Sequence, residues 1–283
     1  MDEQKSNLRG IYRFTSIARP IDPAFLTNRA LLIVLPAVML LSAGLASITD
    51  IGIAPLSAAF SGALAAFAAW ALTRELAPDY NDAAFVALVL AWIANVAFEA
   101  RMVLGLFVAL LLARLLNRST GLPMRPLDTL GVFGFCTWAA FSTQQPLILL
   151  IASLAFALDA TLERPLRRHY LAAAVCLSVF LWMLFDRTWV LADDLAARDW
   201  GLVGLFFGGI VLVTVTSANP ISYCDTSPDR LDRARVNAGL IVGFLVAVQA
   251  LLTNGRSAWL ETPIWVSFFA VLLSFAIRFR RLR

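Results

Sequence analysis

Residues 30–48 have the sequence ALLIVLPAVMLLSAGLASI, a stretch of apolar and small residues without a single charge. A helix of about 20 apolar residues crosses the hydrocarbon core of a bilayer, which is about 30 Å thick. Lipid offers the backbone no hydrogen-bond partner, so such a segment must satisfy its own N–H and C=O groups by forming a helix. The sequence therefore predicts a membrane-spanning helix here.

Nine further apolar runs repeat this pattern to the end of the chain. They lie at 54–72, 84–98, 102–116, 129–142, 146–161, 170–185, 201–217, 237–252 and 263–278. Of the 283 residues, 60% are hydrophobic and 15% are charged. Soluble domains average roughly 45–50% apolar and about 25% charged residues, so the excess of apolar surface in this chain needs lipid as its solvent. We predict an all-α polytopic bundle of about ten spans, residues 29–283, after a short basic segment, residues 1–28.

The positions of the basic residues predict the orientation of the bundle. If ten spans alternate from a cytoplasmic N-terminus, the great majority of the 23 Lys and Arg residues fall on the cytoplasmic side. Positive residues are retained on that side during insertion. We therefore expect a multi-pass protein of the cell (cytoplasmic) membrane with both termini inside. The net charge of +4 is spread over loops, which favours contacts with anionic lipids over nucleic acid.

The basic N-terminal segment has an amphipathic pattern. Over residues 8–18, Tyr12 and Phe14 fall on one side of a helical wheel and Arg9 and Arg13 on the other. This pattern predicts a helix lying on the membrane surface. A basic tail without regular structure is the alternative.

Polar residues inside or beside the apolar runs are the candidates for a binding site, because they are costly in lipid. Asn95 and Glu99 are four residues apart and share one helix face, and Arg101 follows in a very short turn. Gln144 and Gln145 lie in the next turn on the same side of the membrane. We predict that these five residues line a substrate pocket, in which Glu99 responds to a proton or cation and Arg101 binds an anion or serves as counter-ion. An ordinary interfacial ion pair is the alternative.

Residues that bind metals or cofactors are scarce. The chain has one histidine and three cysteines without a CxxC spacing, so neither a multi-histidine centre nor a zinc site is indicated. We predict no cofactor and no metal ligand. Asp159, near the cytoplasmic end of the sixth apolar run, is expected to be an interfacial partner of Arg164, Arg167 or Arg168.

The loop after the eighth apolar run contains closely spaced carboxylates. Asp225 and Asp229 could hold Mg²⁺ on a diphosphate substrate, together with Asp79 and Asp82 of an earlier loop. This spacing resembles one half of the pattern in UbiA-type prenyltransferases, which implies a membrane-embedded enzyme acting on a lipid diphosphate. The later aspartates of that family's second motif are missing after Asp82, and a salt-bridged surface loop is the alternative. We therefore favour a non-enzymatic function.

Ten short helices in fewer than 300 residues, with both termini inside, resemble the drug/metabolite transporter superfamily. The resemblance is in size, helix number and orientation, and it implies two inverted five-helix halves with a solute site between them. No repeat is visible between residues 1–143 and 144–283. We predict a secondary transporter or permease for a small, partly apolar solute. The alternatives are the Mg²⁺-dependent enzyme and a non-catalytic membrane subunit or assembly factor with partner proteins.

Overall fold

The computed structural model describes residues 10–49, 53–97, 103–186 and 191–281. Within these ranges the chain forms ten α-helices and two short 3-10 helices, Gly10–Arg13 and Gly255–Glu261, and no strand is present. The α-helices are α1 (Leu26–Ile48), α2 (Pro55–Leu76), α3 (Asn81–Ala97), α4 (Leu104–Asn117), α5 (Pro126–Thr143), α6 (Leu147–Asp159), α7 (His169–Asp186), α8 (Ala197–Thr216), α9 (Arg233–Asn254) and α10 (Thr262–Arg281). Within the described residues, a helix covers most of each apolar run, which confirms the prediction of an all-α fold.

The length and composition of these helices are those of a multi-pass membrane protein. Within the described ranges, α1, α2, α7, α8 and α9 are long and apolar enough to cross a membrane. The apolar parts of α3, α4, α6 and α10 are shorter, at 10–17 residues. Exposed apolar side chains on the outer helices, such as Leu40, Phe185 and Leu205, also need an apolar solvent.

Local chemistry fixes several helix boundaries. Pro55 and Pro126 occupy the first turns of α2 and α5, where the missing N–H has no intrahelical partner to lose. The Asp232 carboxyl caps α9 by accepting a hydrogen bond from the Arg235 N–H at 2.8 Å. Gln144 ends α5 in the left-handed conformation, with φ of 58°. These short-range signals explain why the helix limits follow the apolar runs closely.

The described loops gather at two ends of the bundle. One end, which we call the arginine-rich end, consists of the segment 10–25 and the loops 77–80, 118–125, 160–168 and 217–232. Contacts between side chains distant in sequence join these segments. They include Arg19–Asp225 at 2.7 Å, Asp79–Ser222 at 2.6 Å and Arg164–Asp229 at 3.0 Å.

The other end, which we call the opposite end, holds the turn 144–146 and the segments 191–196 and 255–261. The Ala192 N–H donates to the Leu252 carbonyl at 2.9 Å, which joins the second of these segments to the end of α9. Successive described loops therefore alternate between the two ends, as they do in an up-and-down helix bundle.

The centre of the bundle is formed by α2, α4 and α9, which contact one another. At Gly239 of α9, an added Cβ atom would lie 2.4 Å from the Asn117 side chain of α4, so a larger residue would have to displace this amide. Helices α3 and α10 pack on α2, and α6 packs on α4 and α9. Helices α1, α7 and α8 lie at the periphery.

The two five-helix halves are not packed alike in the described part of the chain. Helix α2 packs along α3, whereas the corresponding helices α7 and α8 do not pack along each other. Helix α7 instead contacts α5 and α6, and α8 contacts α9 and α10. The packing therefore gives no support to the inverted repeats that the superfamily resemblance implies.

The N-terminal segment differs from the predicted surface helix. Its described part forms one 3-10 turn, Gly10–Arg13, and then crosses the arginine-rich end without regular structure. The hydroxyls of Thr15 and Ser16 both donate to the Asp128 carboxyl at 2.6 Å, and the Thr120 hydroxyl donates to the Ser16 carbonyl at 2.6 Å. These tertiary hydrogen bonds replace the i to i−4 bonds of a helix, so the described residues 10–18 do not form the amphipathic helix predicted for 8–18.

Candidate functional site

Three polar side chains meet in the interior at the opposite end, and we call them the glutamate cluster: Gln145, Gln249 and Glu261. Each is at most 3% exposed. The Gln249 Nε2 donates to the Gln145 Oε1 at 2.9 Å, and the Gln145 side chain is hydrogen-bonded to the Glu261 carboxyl. Gln145 therefore links the amide of α9 to the acid that precedes α10.

The backbone explains how the glutamate cluster is assembled. The left-handed turn at Gln144 brings the N–H of Gln145 back to the Ala140 carbonyl at 3.0 Å. Glu261 ends the 3-10 helix that connects α9 to α10. Its Oε2 lies only 2.3 Å from the position that a Cβ atom would take at Gly105, in the first turn of α4. Glycine at this position leaves the space that the carboxyl occupies.

The environment of Glu261 changes its acidity. Burial raises the pKa of the Glu261 carboxyl to about 7, against the opposing effect of the hydrogen bond from Gln145. In the described part of the chain, no protein group donates to its Oε2 or to the Gln249 Oε1. A carboxyl with this pKa exchanges its proton near neutral pH, and its neutral form gains an O–H donor.

The predicted site residues fall in different places. Gln145 belongs to the glutamate cluster, while Gln144 is exposed and donates to the Phe141 carbonyl at 2.6 Å. Asn95 is buried on α3, where its Oδ1 lies 3.4 Å from the Ser61 hydroxyl of α2. Glu99 and Arg101 lie outside the described residues. The predicted pocket of five residues therefore stays a prediction.

Gln249 and Glu261 escaped the sequence analysis. Gln249 is a polar residue near the end of an apolar run, and Glu261 is the acidic residue of the segment 255–261. Both residues are therefore visible in the sequence as polar residues beside apolar runs. Neither residue, however, is adjacent to Gln145 along the chain, so only the packing of α9 and α10 brings them together.

A second buried cluster lies at the arginine-rich end, around Asp159, which is fully buried. Arg118 donates to both oxygens of its carboxyl, at 2.9 and 2.7 Å, and Arg235 donates at 2.8 Å. The His169 Nδ1 lies 2.7 Å from the same carboxyl. The predicted partners of Asp159, in the loop that follows it, were wrong. Helices α4 and α9 pack against α6, so Arg118, which directly follows α4, and Arg235 of α9 reach the carboxyl instead.

The carboxylates of the diphosphate-enzyme hypothesis are each bound to another group. The observed pairs are Asp225 with Arg19, Asp229 with Arg164, Asp79 with Ser222 and Asp82 with Arg278. In the ranges that the structure describes, no three His, Cys, Asp or Glu side chains are placed to hold a metal ion. The geometry therefore gives this hypothesis no support.

The described structure is all-helical, and its long apolar helices fit a multi-pass membrane protein. Buried carboxylates lie at both ends of the bundle, Glu261 at the opposite end and Asp159 and Glu75 at the arginine-rich end. Comparison with protein-family models, with curated proteins and with solved structures found no match for this chain.

Proposed function

We propose that this chain is a secondary transporter of a small, partly apolar solute, and that protonation of Glu261 drives its conformational change. The observation that carries the proposal is the buried carboxyl of Glu261, held between α4 and α10 with a pKa near neutrality. Ionisable groups buried within a membrane bundle commonly belong to solute or proton pathways.

Loss of the proton would change the packing at the opposite end. The neutral acid fits against Gly105, where the described groups donate nothing to Oε2. The carboxylate in the same place would lack solvation, so it favours a state in which Glu261 leaves the contact with α4. Binding of a proton would thus shift the equilibrium between two arrangements of the connection 255–261. Any ligand that binds one conformation more tightly than the other acts in this way.

The arginine-rich end supplies a non-covalent closure on the other side. Arg118, which directly follows α4, and Arg235 of α9 both bind Asp159 of α6. Ion pairs of this kind close an end reversibly, because they can exchange partners or water. Alternating access requires one closure at each end of the bundle, and the glutamate cluster and these ion pairs provide them.

We further propose that all ten helices cross the cell membrane with the arginine-rich end in the cytoplasm. The support is the alternation of the described loops and the positive charge of that end. Cysteines introduced one at a time at Arg167 and Ser257, in a Cys224→Ser background, test this arrangement in intact cells, because the remaining Cys136 and Cys176 are buried. A membrane-impermeant maleimide should label Ser257→Cys directly and Arg167→Cys only after permeabilisation. Labelling of both from outside would contradict the alternation.

Glu261→Gln should abolish solute-driven current. Proteoliposomes on a solid-supported membrane are exposed to a panel of small uncharged amides, polyols and neutral amino acids. Proton-coupled transport of such a solute moves the charge of the proton, whereas passive diffusion of the solute moves no charge. We expect at least one solute to evoke a current in the wild type, and Glu261→Gln to reduce it by about tenfold or more, because the amide cannot exchange a proton.

Glu163→Gln is the matched control, since Glu163 is an exposed acid at the arginine-rich end. Its current should equal that of the wild type. Equal currents in the wild type and Glu261→Gln would refute the role of Glu261. The absence of any current across the panel would refute the transport proposal.

A further inference from the structure

A separate cavity of about 320 Å³ lies at the arginine-rich end, and we call it the arginine pocket. Its volume is within the range of small-molecule sites, about 300–1,000 Å³. The lining side chains that bear on its chemistry are Arg19, Trp70, Arg74, Glu75, Arg114 and Asp225. The glutamate cluster lies at the other end of the bundle, so this cavity is not part of the proposed proton site.

Two of the three arginines are fixed by carboxylates. Arg19 binds both oxygens of Asp225 at 2.7 Å and reaches Glu75 at 3.1 Å. Arg114 binds the same Glu75 oxygen at 3.2 Å. Burial alone would lower the pKa of Arg19, but the attraction of Glu75 and Asp225 outweighs it and raises that pKa. These side chains therefore form a rigid, permanently charged wall.

Arg74 is different, because no carboxylate of the described chain lies within ion-pair distance of it. Its Nη1 donates to the Asn28 Oδ1 at 3.1 Å, and its guanidinium stacks on Trp70 at 5.1 Å from the ring centroid. A guanidinium has five N–H donors, and the hydrogen bond to Asn28 uses one of them. Arg74 is thus held in place with its positive charge and most of its donors available to a ligand.

Besides the polar side chains of Tyr12 and Asn28, the remaining wall of the arginine pocket contains an apolar part. Phe67 and Trp70 line it, and Phe25 at its mouth is 64% exposed beside Leu26, which is 75% exposed. Asp22 also lies at the rim, but it is exposed and its carboxyl accepts a hydrogen bond from the Ala24 N–H. The pocket therefore offers, on the inside, a guanidinium that forms no ion pair with a described carboxylate, and an apolar surface towards its opening.

We propose that the arginine pocket binds the phosphate group of a ligand that also carries an apolar portion, with Arg74 as its main contact. The planar guanidinium matches two oxygens of a phosphate. Glu75 and Asp225 balance the charges of Arg19 and Arg114, so Arg74 supplies the unbalanced positive charge of the inner wall. Such a phosphate belongs either to a lipid headgroup or to a soluble phosphate ester. This binding site is independent of the proposed transport function.

Calorimetric titration of the full chain in a neutral detergent tests the proposal. The probes are dihexanoyl phosphatidic acid, phenyl phosphate, inorganic phosphate and benzoate. Both organic phosphates should bind more tightly than inorganic phosphate and benzoate. Arg74→Gln should weaken their binding by about tenfold or more, as expected for the loss of a charge-assisted hydrogen bond, and Arg74→Lys should weaken it less.

Arg167→Gln is the matched control, because Arg167 is an exposed arginine at the same end but outside the pocket. Its affinity should stay within about twofold of the wild type, since a distant exposed charge is screened. Tighter binding of phosphatidic acid than of phenyl phosphate identifies a lipid ligand, and the reverse identifies a soluble ester. Equal losses in Arg74→Gln and Arg167→Gln, equal affinity for benzoate and phenyl phosphate, or no binding of either organic phosphate to the wild type would overturn the proposal.

Discussion

Asp159→Asn should lower the free energy of unfolding by about 3 to 5 kcal/mol, the usual cost of removing one partner from a buried ion pair. Asp159 is fully buried and Arg235 is only 4% exposed. The substitution keeps the shape of the side chain but removes the negative charge that neutralises Arg118 and Arg235. Chemical unfolding of the purified protein in detergent, followed by tryptophan fluorescence, measures the change.

Asp229→Asn is the matched control at the same end of the bundle. Asp229 binds Arg164 at 3.0 Å, but the two side chains are 48% and 68% exposed. Exposed ion pairs contribute about 0–1 kcal/mol, so this variant should unfold nearly as the wild type does. Similar losses in both variants would show that burial does not distinguish the two pairs, and the stabilising role of Asp159 would be refuted.

The partners of Asp159 show why part of the structure escaped prediction. Arg118 and Arg235 are 41 and 76 positions away in the chain. The sequence indicates that a carboxylate near an apolar run needs a positively charged partner. It suggests the arginines that are nearest along the chain as that partner. Which distant arginine reaches it depends on how α4, α6 and α9 pack, and the apolar faces of these helices fit many neighbours equally well.

The helices themselves were predictable because their signals are local. Uncharged runs indicate where the chain is helical, and Pro55, Pro126 and the Thr262–Pro263 pair mark the first turns of three helices. The N-terminal segment was not predictable in this way. Its amphipathic pattern on a helical wheel is also a local feature, but hydrogen bonds from Thr15 and Ser16 to Asp128 determine its conformation.

The candidate site was predictable only in part. Gln145 was identified because polar residues in a tight turn between apolar runs are unusual. Glu261 was not identified, since a carboxyl next to a turn is ordinary in a sequence. Only its contact with Gly105 and its burial distinguish it, and both arise from the packing of α10 and α4.

The stability of the wild type should fall as the pH rises from 4.5 to about 7, and Glu261 should cause most of this dependence. The pKa of its carboxyl is about 7 in the folded chain against a usual value of 4.5, so the folded state holds the proton more tightly than the unfolded state does. The stabilisation is therefore complete below pH 4.5 and is lost as the pH approaches 7, with a total of about 3 kcal/mol from the linkage relation.

Glu261→Gln should remove this pH dependence, because an amide binds no proton in that range. Other titrating groups affect the wild type and the variant alike, so the difference between their free energies of unfolding reports on Glu261 alone. At pH 8 the variant should be the more stable protein, because the wild type then buries a carboxylate. Glu163→Gln should keep the wild-type slope, since Glu163 is exposed. If the slope persisted in Glu261→Gln, the proton would bind elsewhere, and the coupling assigned to the glutamate cluster would lose its physical basis.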